Sequence, residues 1–151
     1  MRRSVVSDSD HWLFISSTGA LTAGRRNPEH ALFPYETDDK IHDARDRTGS
    51  KTLVRLEADR ADLLWEPFSR RYEGLYDTER YLYKNVPGNK LVFEEINRDL
   101  NLTFRYAWLL SDRFGFVRRA KLLNLGTETA RLRILDGRGS GHSARNCVDE
   151  G

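Results

Sequence analysis

Apolar residues recur at every second position through much of the chain, the period of a strand with two unlike faces. The clearest case is Leu102, Phe104, Tyr106 and Trp108, with Thr103, Arg105 and Ala107 between them. "FVRRAKLLN" (116–124) follows the turn "SDRFG" and alternates again, with Phe116, Arg118, Ala120 and Leu122 on one face. "RLRILDG" (131–137) is the next run after the turn residues Asn124 and Gly126. Upstream, "WLFIS" (12–16), "KTLVRLEA" (51–58), "ADLLWEPF" (61–68, closed by Pro67), "RYLYKNV" (80–86) and "KLVFEEIN" (90–97) read as strands. Pro87 and Gly88 fit the two central positions of a type II turn between the last two. "SRRYEGLYDTER" (69–80) is a connection or the start of the next strand. A helical period is weak everywhere. Seven or eight strands so spaced predict an all-β fold, an antiparallel β-sandwich.

Three segments break the pattern. Residues 1–11 are polar and predict a flexible N-terminus. Ser17 to Ser50 has no sustained period, and Pro28 and Pro34 oppose a helix through it. It still carries Leu21, Leu32, Phe33, Tyr35 and Ile41, too many apolar groups for a solvated linker. It reads as a long ordered loop with short strand pieces, and loops of that length are often functional. Residues 138–151, "RGSGHSARNCVDEG" after the last strand, hold Val148 as their one sizeable aliphatic group and read as a disordered tail. The sandwich domain is therefore expected over 12–137.

Composition narrows the function classes. The 25 basic residues are nearly matched by 23 acidic ones, a formal charge of +2, and the arginines are scattered among acids. Nothing there argues for nucleic acid. The single cysteine, Cys147, excludes a disulfide framework within the chain and fits a reducing compartment. "MRRSVVSDSDHWLF" has no apolar core or small-residue cleavage site, so it does not read as a signal peptide. No apolar run nears the roughly 20 residues that span a bilayer. The expectation is a soluble, cytoplasmic protein with no membrane partner and no cofactor.

Candidate chemistry is sparse. Glu94 and Glu95 are adjacent in a strand and so point to opposite faces. A glycosidase needs two carboxyl groups facing each other about 5 to 10 Å apart. The plainer expectation is that one Glu meets solvent and the other pairs with an Arg of a neighbouring strand. Asp38, Asp39, His42 and Asp43 match no metal-loop spacing, so no metal site is expected. Gly19 and Gly24 lack the Gly-Lys-Ser/Thr ending of a phosphate loop. Arg25 and Arg26 either clamp an anion or pair with Glu29, Glu36 or Asp38. The aromatic face of Phe104, Tyr106 and Trp108 is first of all core, and only second a platform for the C–H faces of sugars. Trp12 and Trp65 carry the same two readings. The loop from Leu21 to Ile41 is the favoured contact region. Arg25, Arg26, Tyr35, Asp38 and, on a strand, Trp65 are the expected carbohydrate- or domain-contacting residues, and no catalytic residue is assigned.

Four phrases, "WLFISSTGALTAGRRNPEHALFPYETDDKI", "LYKNVPGNKLVFEEIN", "LTFRYAWLLSDRFGFVRRAKLLNLG" and "RILDG", together resemble the N-terminal β-sandwich of large bacterial proteins related to glycoside phosphorylases of the cellobiose-phosphorylase type. The resemblance runs from about Trp12 to Gly137. It implies an incomplete β-supersandwich, similar to galactose-mutarotase-like domains, that precedes an (α/α) toroidal catalytic domain. The family sandwich continues past "ILDG", whereas this chain meets a segment that looks like frame-shifted coding sequence. The catalytic carboxylate and phosphate-binding groups of such enzymes lie in the toroid, so none transfers here. The resemblance implies a non-catalytic fragment of a carbohydrate-active enzyme, with carbohydrate or the missing toroid as partner. Two alternatives stand beside it: an independent protein-interaction sandwich, and a truncated gene product with no function of its own.

Overall fold

The computed structural model describes residues 2–6, 11–27, 29, 31, 40–41, 48–58, 61–111 and 113–139, with side chains from residue 11 to residue 137. Ten strands form three antiparallel sheets, and there is no α-helix among the described residues. The all-β antiparallel sandwich expected from the alternation is the fold.

The first sheet joins β1 (Arg2–Val6), β2 (His11–Ser16) and β3 (Leu21–Arg25) in sequence order. The second sets β4 (Gly49–Leu56) between β5 (Leu63–Trp65) and β10 (Leu132–Gly139). The third is a four-stranded meander: β6 (Thr78–Lys84), β7 (Lys90–Asn97), β8 (Leu102–Ser111) and β9 (Gly115–Asn124).

One core draws on all three sheets. Leu13, Ile15 and Leu21 come from the first, Val54 and Trp65 from the second, and Phe93, Phe104, Tyr106 and Trp108 from the third. Register explains why the meander buries that face. Phe93 lies opposite Tyr106 and Leu91 opposite Trp108, so the large side chains of β7 and β8 share one side. The Phe93 and Tyr106 rings stack at 4.8 Å, and Phe68 meets both edge-on. The first two sheets also touch. A Cβ added at Gly49 would lie 2.4 Å from the carbonyl oxygen of Gly19, and Leu21 N–H donates to Thr48 Oγ1 at 3.4 Å.

The structure corrects several sequence expectations. Arg2–Val6 is not a loose leader but a strand, paired from Arg2 with Ser16 to Val6 with Trp12. Its own sequence is weakly apolar, and the ladder to β2 supplies what it lacks. The last strand does not stop at 137 but runs to Gly139, because its partner β4 extends to Gly49 opposite it. The turn between β6 and β7 is closed by Gly88 N–H donating to Asn85 O at 3.1 Å. Pro87 is therefore third and Gly88 fourth in the hydrogen-bonded turn, not second and third. Gly88 nonetheless has the positive φ, 78°, that its lack of a Cβ permits. The expected ordered loop contains β3 and the bridge from Gly24 to Ala31. Most of its remainder, and the segment from residue 140 onward, lie outside the described residues.

Candidate functional site

The two faces of the meander differ in kind. The inner face is core. On the outer face, four strands place their residues in straight rows across the sheet. One row is Tyr81, Glu94, Arg105 and Lys121. The row beside it is Tyr83, Val92, Ala107 and Arg119. Strand parity alone puts the tyrosines at one edge of this face and two cations at the other.

The tyrosines are held, not loose. Tyr81 and Tyr83 are 43% and 47% exposed, and their rings lie 6.2 Å apart, tilted by 22°. Tyr81 hydroxyl donates to Glu79 Oε2 at 2.6 Å, and Tyr83 hydroxyl donates to Glu94 Oε2 at 2.8 Å. Each carboxylate has a guanidinium as well. Arg98 Nε donates to Glu79 at 2.9 Å, and Arg105 Nε donates to Glu94 Oε1 at 2.9 Å. The hydrogen bonds from Arg98 and Tyr81 hold the Glu79 carboxyl below the usual range. Glu79 raises the Tyr81 phenol, chiefly through their hydrogen bond. Glu94 raises the Tyr83 phenol in the same way, aided by partial loss of hydration. The result is a pair of aromatic rings fixed at the tips by two ion pairs, open to solvent on a rigid sheet.

Glu94 and Glu95 do point to opposite faces, but neither meets solvent freely. Glu95 is 1% exposed, and its carboxylate accepts from Trp65 Nε1 at 2.9 Å, Phe68 N–H at 2.7 Å and Arg80 Nε at 2.6 Å. Each of the two carboxylates thus pairs with an arginine of a neighbouring strand. A buried charge needs such partners. With one carboxylate on each side of the sheet, they do not face each other across a common substrate.

Of the expected contact residues, Arg25, Arg26 and Trp65 lie among the described residues. Arg25 ends β3 opposite His11, and Arg26 follows it at a positive φ of 62°; both are exposed. Tyr35 and Asp38 lie outside the described residues, as do Asp39, His42 and Asp43. Trp65 is corrected outright: it is 1% exposed and its indole N–H is taken by Glu95, so it presents nothing to a ligand. Phe104, Tyr106 and Trp108 are core, the first of their two readings. No cluster of three or more metal-ligating side chains occurs among the described residues.

The tyrosine pair was missed from sequence, although its signal was present. Glu79, Tyr81 and Tyr83 alternate with Arg80, Leu82 and Lys84, and only the second set faces inward. A shallow cleft of about 600 Å³ lies between the end of β4, the Leu100–Asn101 turn and residues 124–131. Two of its polar side chains, Asn124 and Glu57, are taken by the chain itself. Asn124 Nδ2 donates to Glu128 O and its Oδ1 accepts from Gly126 N–H, while Glu57 accepts from Arg133. The outer face of the meander is the better candidate.

No known protein-family model and no curated protein matches the chain. No helix among the described residues is long and apolar enough to cross a membrane.

Proposed function

We propose that the chain is a non-catalytic β-sandwich of a carbohydrate-active protein, and that the outer face of its four-stranded sheet binds saccharide. The carrying observation is the exposed pair Tyr81 and Tyr83, with hydroxyls tied to Glu79 and Glu94. Sugar rings have apolar C–H faces that pack on aromatic rings, and polar neighbours take their hydroxyls. Restrained tyrosines lose little entropy on binding. The phrase-level resemblance to glycoside phosphorylases supports the same ligand class. No turnover is assigned to the chain.

Calorimetric titration of the chain with neutral and acidic oligosaccharides, beside an assay of phosphate-dependent disaccharide cleavage, tests the reading. Saccharide binding without cleavage is expected. Cleavage by the chain alone contradicts the non-catalytic assignment, and silence across the saccharides contradicts the binding one.

A protein-interaction module is the second reading, favoured by one observation. Strand β10 exposes Ile134 and Leu135, the latter by 69%, on the rim of the second sheet. Apolar groups so placed fit a contact with further protein. Replacing both with Lys leaves saccharide titrations unchanged under the first reading, and self-association or partner capture falls only under the second.

A further inference from the structure

The charge on the outer face of the meander is one-sided. Its two carboxylates, Glu79 and Glu94, are each paired with an arginine. Arg119 and Lys121, exposed on β9, have no ionic or hydrogen-bonding side-chain partner among the described residues. Lys90, on the same face of β7, has none for its ammonium either. The uncompensated charge of the face is therefore positive and is densest at the β9 edge. The tyrosines sit at the β6 edge, three strands away in the same rows. At the usual strand spacing that separation is about 14 Å, the reach of an oligosaccharide and not of a single sugar.

We propose that this face selects an acidic oligosaccharide laid across the strands, with one ring on Tyr81 and Tyr83 and an anionic group of a distal unit at Arg119 and Lys121. The inference rests on the saccharide-binding reading and adds the charge of the ligand. The chemistry of the acceptor is generic to oxyanions. Arg119 offers a planar fork of donors and Lys121 a compact ammonium, and a carboxylate or a sulfate ester satisfies both. Such exposed cations contribute mainly through long-range attraction, which salt screens over about 10 Å at 0.1 M. The tyrosine contact is apolar and insensitive to salt. Two ends of one ligand thus respond to different conditions.

The full chain is titrated with three sets of oligosaccharides of equal length: neutral, uronate-bearing and sulfated. Each is run at low and high salt, against the wild type and the R119Q/K121Q variant. Both substituted positions are exposed on a paired strand, so the variant keeps the fold, and circular dichroism checks it. Acidic oligosaccharides are expected to bind at least about tenfold tighter than neutral ones at low salt. That advantage should vanish in the variant and at high salt, while neutral binding stays unchanged. Tighter binding of the uronate set alone, or of the sulfated set alone, identifies the oxyanion. Equal binding of neutral and acidic sets overturns this inference and leaves the saccharide reading standing. Binding of none of the three overturns both. A single-stranded oligonucleotide is the control of another class: if it binds more tightly than every saccharide and loses that in R119Q/K121Q, both are replaced by nucleic-acid stacking.

Discussion

The indole N–H of Trp65 donates to Glu95 Oε1 at 2.9 Å, joining two sheets through residues thirty positions apart. The same carboxylate accepts the backbone N–H of Phe68, whose φ of 64° is unusual for an aromatic residue. It also accepts from Arg80 on the adjoining strand. One buried anion therefore fixes the end of β5, the strained residue after it and the edge strand of the meander.

Glu95→Ala is expected to be the most damaging change to a charged residue in the described chain. It strands the indole, an amide and a guanidinium that is itself about a third exposed. Loss of roughly 3 kcal/mol is expected, with Glu95→Gln losing less because an acceptor oxygen remains. Urea unfolding monitored by Trp fluorescence measures both. A midpoint unchanged in Glu95→Ala would remove the carboxylate from this role.

Gly49→Ala tests the contact between the first two sheets. Gly49 has φ 99°, and the added methyl meets a backbone oxygen that cannot move aside alone. Destabilisation of more than about 1 kcal/mol is expected from the backbone conformation and the clash together. A thermal midpoint equal to wild type would mean the sheets part there without cost.

The tyrosine edge predicts a signature in alkali. Tyr81 and Tyr83 are raised above the ordinary 10.0 by their hydrogen bonds to Glu79 and Glu94. A raised folded pKa favours the protonated phenol in the folded state. Its stabilisation is complete below the unfolded value and is lost as pH rises through the folded one. Tyrosinate absorbance should therefore lose two late-titrating groups in Tyr81→Phe/Tyr83→Phe, while Tyr76, raised chiefly by burial, still titrates late. Glu94→Gln should bring one of them back toward 10.0. Glu79 has the opposite sign: its lowered pKa gives stability present above the unfolded value, near 4.5, and lost as pH falls through the folded one.

Much of the architecture was legible because two-residue alternation reports directly which side of a strand is buried. "KLVFEEIN" is β7 residue for residue, and the aromatic face from Leu102 to Trp108 lies in the core. What escaped depended on distant pairing. Strand β10 bypasses β9, its neighbour in sequence, and pairs with β4, which no local pattern announces. The opposite faces of Glu94 and Glu95 followed from parity, but their burial did not, since it depends on Arg105 and Arg80 from flanking strands. Trp65 was ambiguous for the same reason: its acceptor lies on another sheet. The loop from Leu21 to Ile41 stands out in the sequence because it breaks the pattern. The tyrosine pair keeps the pattern, and its exposure goes with its place on an edge strand, which pairs with β7 alone among the described residues.

Truncating the tyrosines separates binding from folding. Tyr81→Ala and Tyr83→Ala are each expected to weaken saccharide binding by about tenfold, or 1.4 kcal/mol, as for rigid aromatic anchors elsewhere. Their thermal midpoints should change little, since both rings are half-exposed. Phe104→Ala, in the core, should do the reverse and lose about 3 to 5 kcal/mol of stability.

The most direct test of saccharide binding at this face is a backbone-amide NMR titration of the full chain with an oligosaccharide. Perturbed amides should cluster on residues 79–83, 92–96, 103–107 and 117–123, and the double variant Tyr81→Ala/Tyr83→Ala should abolish them while its dispersed spectrum shows it folded. Perturbations confined to the Arg25–Arg26 bend or to the cleft beside Asn101, or a response that survives in the double variant, would contradict it.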